Sequence, residues 1–259
     1  MMRAIRVNDI VVNYSLEGPD AAPVILFANS LGTDLRVWDA VAADLQRDFR
    51  VLRYDKRGHG LSDATSGDYS MDGLVADALA LLDALDLQRV HVCGLSIGGM
   101  IGQQLAATHP DRVDRLVLCD TTMRMPESSA WDERVAQVRQ QGLDAIAAGA
   151  MERWFTPAMR GTTTEALFRN MVARTTVDGY AGCCAAIRDM DLVPLVPRIQ
   201  APTLVVVGED DPGTPPSMAR ELDAALRDSR LVVIPGAAHL PCVEQPDALI
   251  AALRDFLNP

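Results

Sequence analysis

A chain of 259 residues, 49% of them hydrophobic, can bury a large core without disulfide or metal staples. Its formal charge of -11 at pH 7 argues against nucleic acid or an anionic membrane as a partner. No apolar run approaches the roughly 20 residues of a membrane-spanning helix. Met1 to Val7 leads directly into alternating sequence without an apolar leader, so a cytoplasmic location is expected. The five cysteines, two of them adjacent at Cys183 and Cys184, suit neither a disulfide framework nor a zinc site. Cys93 and Cys119 end apolar runs and read as small core residues.

In chain order, Ala4–Val7 and Ile10–Leu16 alternate like an antiparallel pair at a sheet edge. Val24–Ala28, Val51–Tyr54, Val90–Gly94, Arg115–Cys119, Thr203–Gly208 and Leu231–Ile234 follow as short apolar runs bounded by turn residues. That is the pattern of a parallel sheet covered on both faces. Amphipathic helices lie between them. One begins after Ser70 as N-cap, with Leu74, Leu81 and Leu85 on its buried side, and the last runs from Pro246 to Leu257. From about residue 122 to 194 the alternation stops, and the stretch is helical in pattern and rich in Ala, Met and Arg. The expected architecture is one α/β domain over residues 1–259, a mostly parallel eight-stranded sheet flanked by helices, with a helical cap inserted at 122–194.

Gly94-Leu95-Ser96-Ile97-Gly98 sits between a strand and a helix start and fits the Gly-x-Ser-x-Gly elbow. Such a turn holds its serine in a strained conformation, so the residues two before and two after must be small. Ser96 then stands at a helix N-terminus, where the dipole favours developing negative charge. A glycine-rich turn between strand and helix also suggests a dinucleotide site, with Asp120 ending the next strand. That fingerprint requires glycine where Ser96 stands, which disfavours it.

A serine nucleophile needs a base. Of the four histidines, His239 follows the final strand at the carboxyl edge of the sheet, where ligands bind in open α/β folds. His59 lies in a turn, His91 opens a buried strand and His109 precedes a proline at a helix end. The orienting acid should fall between Ser96 and His239, in the loop Glu209-Asp210-Asp211-Pro212. Asp211 is preferred because Pro212 fixes the loop, and Asp210 is the reserve. The oxyanion hole should use the backbone amides of Ile97, directly after the nucleophile, and Leu31, in Asn29-Ser30-Leu31-Gly32.

Those segments, together with Asp55-Lys56-Arg57-Gly58-His59-Gly60-Leu61-Ser62 and Gly236-x-x-His239, resemble the α/β-hydrolase superfamily over nearly the whole chain. Within it, Asn29-Ser30-Leu31-Gly32-Thr33-Asp34 with Trp38, Trp131-Asp132-Glu133-Arg134 and Glu152-Arg153-Trp154-Phe155-Thr156-Pro157 are similar to the 3-oxoadipate enol-lactonases of the β-ketoadipate pathway. The resemblance implies ring opening of a small anionic lactone in aromatic catabolism through a Ser96-His239-Asp211 triad, with no metal or organic cofactor. It also implies a cation near the cap for the substrate carboxylate, with Arg134 the first choice and Trp131 and Trp154 lining the apolar part. Tryptophans at helical spacing are ordinarily core and arginines on exposed helices ordinarily solvated. Arg57 and His59 read as structural supports of their turn. Other users of the same triad are carboxylesterases, carbon–carbon hydrolases of meta-cleavage products and cofactor-free perhydrolases, and a hydrolase-fold receptor is the non-enzymatic alternative.

Overall fold

The computed structural model describes residues 3–125 and 128–257. Two of the remaining positions, 126 and 127, belong to the predicted cap stretch and lie outside the described residues, as do the first two and last two positions of the chain.

Eight strands form one sheet: β1 (Arg3–Val7), β2 (Ile10–Glu17), β3 (Val24–Ala28), β4 (Arg50–Tyr54), β5 (Val90–Leu95), β6 (Val113–Cys119), β7 (Thr203–Gly208) and β8 (Ser229–Ile234). Their spatial order is β1-β2-β4-β3-β5-β6-β7-β8. β1 pairs antiparallel with β2, and β2 antiparallel with β4, while every pair from β4 to β8 is parallel. The antiparallel edge expected from the alternating N-terminus is therefore present. β6 and β8 start two residues before their apolar runs because pairing continues past them, as in Val90 with Val113 and Thr203 with Ser229. The central β5 and β7 are buried at every residue, as a sheet covered on both faces requires. The β1 edge carries Arg3 and Arg6, charges that discourage further strand pairing.

The sheet-flanking helices are α1 (Asp39–Leu45), which packs on the C-terminal helix, α2 (Met71–Ala84) and α3 (Ile97–Thr108), which pack on each other. The Ser70 hydroxyl caps α2 by accepting from the Gly73 amide at 3.1 Å. Leu74 and Leu81 are buried as expected, and Leu85, at the helix end, is half-buried. Between β6 and β7 lie α4 (Ser128–Gln141), α5 (Asp144–Trp154), α6 (Thr163–Ala173) and α7 (Val177–Asp189), with α4 against α7 and α5 against α6. After β7 come α8 (Pro216–Ala225), then the short α9 (Pro241–Glu244) and α10 (Pro246–Leu257), the helix that meets α1. The expected last helix has the expected limits.

The helices between β6 and β7 are seated on the loops at the carboxyl edge of the sheet by bare backbone. A Cβ on Gly58, in the turn after β4, would lie 2.2 Å from the Cα of Gly179 in α7. The Thr176 hydroxyl donates to the Gly58 carbonyl at 2.8 Å, and the Tyr69 amide donates to the Gly182 carbonyl at 3.1 Å. Side chains at these glycines would lift α7 away from the sheet and widen the space beneath it. All five cysteines are buried and free. Among the described residues no helix is long and apolar enough to cross a membrane.

Candidate active site

Ser96 links β5 to α3 with φ +56° and ψ -118°, a conformation that L-residues rarely adopt. The strain is held by its surroundings. The Ser96 amide donates to the Cys119 carbonyl at 2.9 Å, and the Thr121 hydroxyl donates to the Ser96 carbonyl at 2.8 Å. The two glycines of the pentapeptide make room for it. A Cβ on Gly94 would sit 2.2 Å from the Gly98 carbonyl oxygen, and one on Gly98 would sit 2.1 Å from that of Ala28. Ile97 is the first residue of α3, so its amide has no intrahelical acceptor and is available to an anion.

His239 stands in the loop after β8 with its Nδ1 2.8 Å from Asp211 Oδ2. Gly208, at the end of β7, lets the two loops meet, since a Cβ there would lie 2.0 Å from the Ala238 carbonyl oxygen. Asp211 is almost fully buried, and every oxygen is used. Oδ2 also accepts from the Thr214 hydroxyl at 2.7 Å, and Oδ1 accepts from the Gly213 and Thr214 amides at 2.8 and 3.2 Å. Burial opposes ionisation, but the His239 ring and these donors outweigh it and hold the Asp211 carboxyl at about 2. Asp210 points to solvent. Of the other histidines, His91 pairs with Asp114 at 3.3 Å, and neither it nor His109 joins the group. Among the three carboxylates of the loop, geometry selects Asp211.

The Asn29–Gly32 loop is pinned on both sides of Leu31. The Ser30 carbonyl accepts from Lys56 Nζ at 2.5 Å and from the Thr33 amide at 3.2 Å, and the Gly32 amide donates to His59 Nε2 at 3.0 Å. His59 Nδ1 faces the Arg57 carbonyl at 3.1 Å, which fixes Nδ1 as the protonated nitrogen and Nε2 as the acceptor. Burial, and then nearby Lys56, push the His59 imidazole well below its usual range, so it stays neutral. Lys56 is the one lysine of the chain and is fully buried, which pushes its ammonium down to about 8. Arg57 is held by Asp77 at 2.8 Å and Asp9 at 2.7 Å, in keeping with a supporting role. His59 does more than hold its own turn, because it also braces the loop that carries Leu31.

Ser96, His239, Leu31 and Ser30 open on one small cavity of about 130 Å³. Its far wall comes from the helices between β6 and β7, with Trp131, Arg134, Arg153, Trp154 and Tyr180. All three residues expected there are therefore brought to the pocket. The Arg134 guanidinium lies over the Trp131 ring, 4.8 Å from its centre, within cation–π range. Arg153, which the sequence does not single out from its neighbour Trp154, also lines this wall. Burial, and then the neighbouring Arg134 charge, push the Arg153 guanidinium below its usual range. Two cations on one apolar wall are electrostatically unfavourable until an anion enters between them. A second, larger cavity of about 520 Å³ is bounded by Arg53, Asp55, Asp34 and Arg174 and holds neither the serine nor the histidine.

Among the described residues one group has the make-up of a metal site: Asp120, Asp211 and His239 bring one ligating atom each within 4.8 Å. The donors do not suit a cation. Both Asp211 oxygens and Asp120 Oδ1 already accept hydrogen bonds, the last from the Gly208 amide at 2.8 Å, and only Asp120 Oδ2 has no donor to accept from.

The α/β hydrolase fold family model matches residues 23–169 and 168–246. A 3-oxoadipate enol-lactonase from Acinetobacter baylyi is 37% identical, over 97% of this chain and 94% of that protein. The crystal structure of the enol-lactonase from Burkholderia xenovorans is 39% identical with a TM-score of 0.96, covering 99% of this chain and 100% of that one. That of a hydrolase from Pseudomonas aeruginosa is 41% identical with a TM-score of 0.96, covering 100% and 98%. The likeness extends from the sheet through the helices over the pocket, and this chain belongs to the α/β-hydrolase fold family and is a hydrolase of that fold.

Proposed function

We propose that the protein opens 3-oxoadipate enol-lactone to 3-oxoadipate through an acyl-enzyme on Ser96. The observation that carries the substrate is the pairing of Arg134 and Arg153 on the wall of the pocket that holds Ser96 and His239. A small lactone with a free carboxylate can be held by those two guanidiniums, while Trp131 and Trp154 cover its apolar part. The likeness to two enol-lactonases supports the same reading.

In this mechanism His239 takes the Ser96 proton through Nε2 as Ser96 Oγ attacks the lactone carbonyl. Asp211 holds the ring by Nδ1–H and stabilises the imidazolium. The Leu31 and Ile97 amides receive the oxyanion. The ring C–O bond then breaks, and the leaving enol oxygen takes the proton from His239. An enol departs far more readily than an alcohol, and it tautomerises to the ketone. Water, deprotonated by His239, attacks the acyl-enzyme, and the proton returns to Ser96 as 3-oxoadipate leaves. No step calls for a metal or organic cofactor.

The test is loss of the enol-lactone ultraviolet absorbance on mixing with the protein, with Ser96→Ala as control. Rapid turnover that disappears in S96A is expected. Turnover of simple aryl esters with none of the enol-lactone would overturn the substrate assignment, and full activity in S96A would overturn the mechanism.

A further inference from the structure

Asp120 has no part in the chemistry just described, yet it is fully buried beside it. It follows β6 directly and has φ +46°, a left-handed backbone conformation that aspartate adopts more readily than most residues with a side chain. Its amide donates to the Val206 carbonyl at 2.9 Å, and its Oδ1 accepts from the Gly208 amide at 2.8 Å. Both bonds clamp it to the end of β7, at Val206 and Gly208, just before the Asp210-Asp211 turn. Its Oδ2 is buried without a donor, and the side chain it meets is the Asp211 carboxylate. Two buried carboxylates this close repel strongly unless one of them carries a proton.

Which one carries it follows from the donors around each. Asp211 receives three donors besides His239, whereas Asp120 receives one. The groups facing Asp120 are Asp211 and His239 from the loops after β7 and β8, Cys119 from β6 and Cys242 from α9. None of the carboxyl or thiol neighbours favours a second negative charge.

We propose that Asp120 is a protonated carboxylic acid whose Oδ2–H donates to the Asp211 carboxylate, making it a positioning residue for the acid that orients His239. The bond occupies the last unpaired oxygen of the group and ties β6 to the loop that carries Asp211. Burial, followed by the charges of Asp211 and Cys119, pushes the Asp120 carboxyl well above the usual range, in the same sense. The kinetic part of the proposal rests on Asp211 acting in the triad. The protonation state does not.

Asp120→Asn separates these possibilities. The Gly208 amide obliges the new side chain to keep oxygen at Oδ1, so its NH2 faces Asp211 and replaces the proposed donor. Infrared difference spectra of wild type against D120N at neutral pH should show the carbonyl band of one protonated carboxylic acid, lost in the variant. D120N should keep kcat/KM within about threefold of wild type, with the acid limb of its pH profile unmoved, because a neutral donor replaces a neutral donor. Asp120→Ala, which removes the donor, should lower kcat by roughly 10- to 100-fold with little change in KM. Absence of the protonated-acid band, or a D120N acid limb that shifts as if a charge had been removed, would overturn the proposal. If D120A fails to fold, the infrared and D120N results still decide it. Persistence of the band with S96A fully active would sink the triad reading and leave Asp120 protonated.

Discussion

Asp211→Asn is the most searching perturbation of the site, because the structure dictates how the amide must sit. The Gly213 and Thr214 backbone amides both point at Oδ1, at 2.8 and 3.2 Å, and can only donate. The amide oxygen therefore stays at Oδ1, and the NH2 takes the place of Oδ2, 2.8 Å from His239 Nδ1. A donor there needs a bare Nδ1 and moves the ring proton to Nε2, the nitrogen that the proposed mechanism needs free to accept the Ser96 proton. A wrong tautomer of this kind in a serine triad lowers turnover by about 10⁴, and a loss of that order is expected here. Stability changes as well. Asp211 is held at about 2 against an ordinary 3.8, a difference equivalent to about 2 kcal/mol at neutral pH. Because the folded value is depressed, that contribution is present above pH 4 or so and is lost as pH falls towards 2. D211N cannot titrate, so its stability deficit should close in the same interval. Steady-state kinetics on the enol-lactone and denaturant midpoints from pH 2.5 to 7 measure both effects. Turnover of D211N within about tenfold of wild type would refute the tautomer argument. So would a larger loss in Asp210→Asn, since Asp210 faces solvent and its substitution should cost less than about threefold.

Arg153→Met should raise KM by roughly 10- to 100-fold with a smaller effect on kcat, as removal of a carboxylate contact would. The uncharged methyl ester of the substrate should lose that sensitivity, and equal effects on ester and acid would count against the carboxylate contact. Gly98→Ala places a methyl 2.1 Å from the Ala28 carbonyl oxygen, so it should destabilise the chain by more than about 2 kcal/mol in denaturant titration. Lys56 has a folded value near 8 against 10.5, so the unfolded chain binds the extra proton between those pH values. Stability should rise with pH across that window by about 3 kcal/mol relative to Lys56→Met, and parallel pH dependences would show that Lys56 is not desolvated as the fold requires.

Patterns local in the chain were the legible ones. The Gly94–Gly98 pentapeptide carries its own steric reason, because strand and helix can meet at Ser96 only over glycine. The β-strands were visible because a sheet covered on both faces needs continuous apolar runs, and the ends of β6 and β8 were missed because pairing extends beyond them. Trp131, Arg134 and Trp154 reached the pocket through a resemblance, since helical spacing alone does not distinguish a lining residue from a core one. Arg153 has no such signature, because nothing in its own turn of helix tells which arginines will line a pocket. His59 was seen as a support, but its bond to Gly32 spans 27 residues and has no local signature.

The sequence by itself determined the sheet and the strand-to-helix elbow at Ser96, both of which rest on neighbours a few residues apart. Only the tertiary structure decided between Asp210 and Asp211, because both sit in the same turn and which one faces His239 depends on how the loops after β7 and β8 cross at Gly208. It also changed the meaning of Asp120, which as a sequence feature suggested only a rejected nucleotide site. Burial against a second carboxylate is a property of three strands meeting, and no stretch of chain contains it.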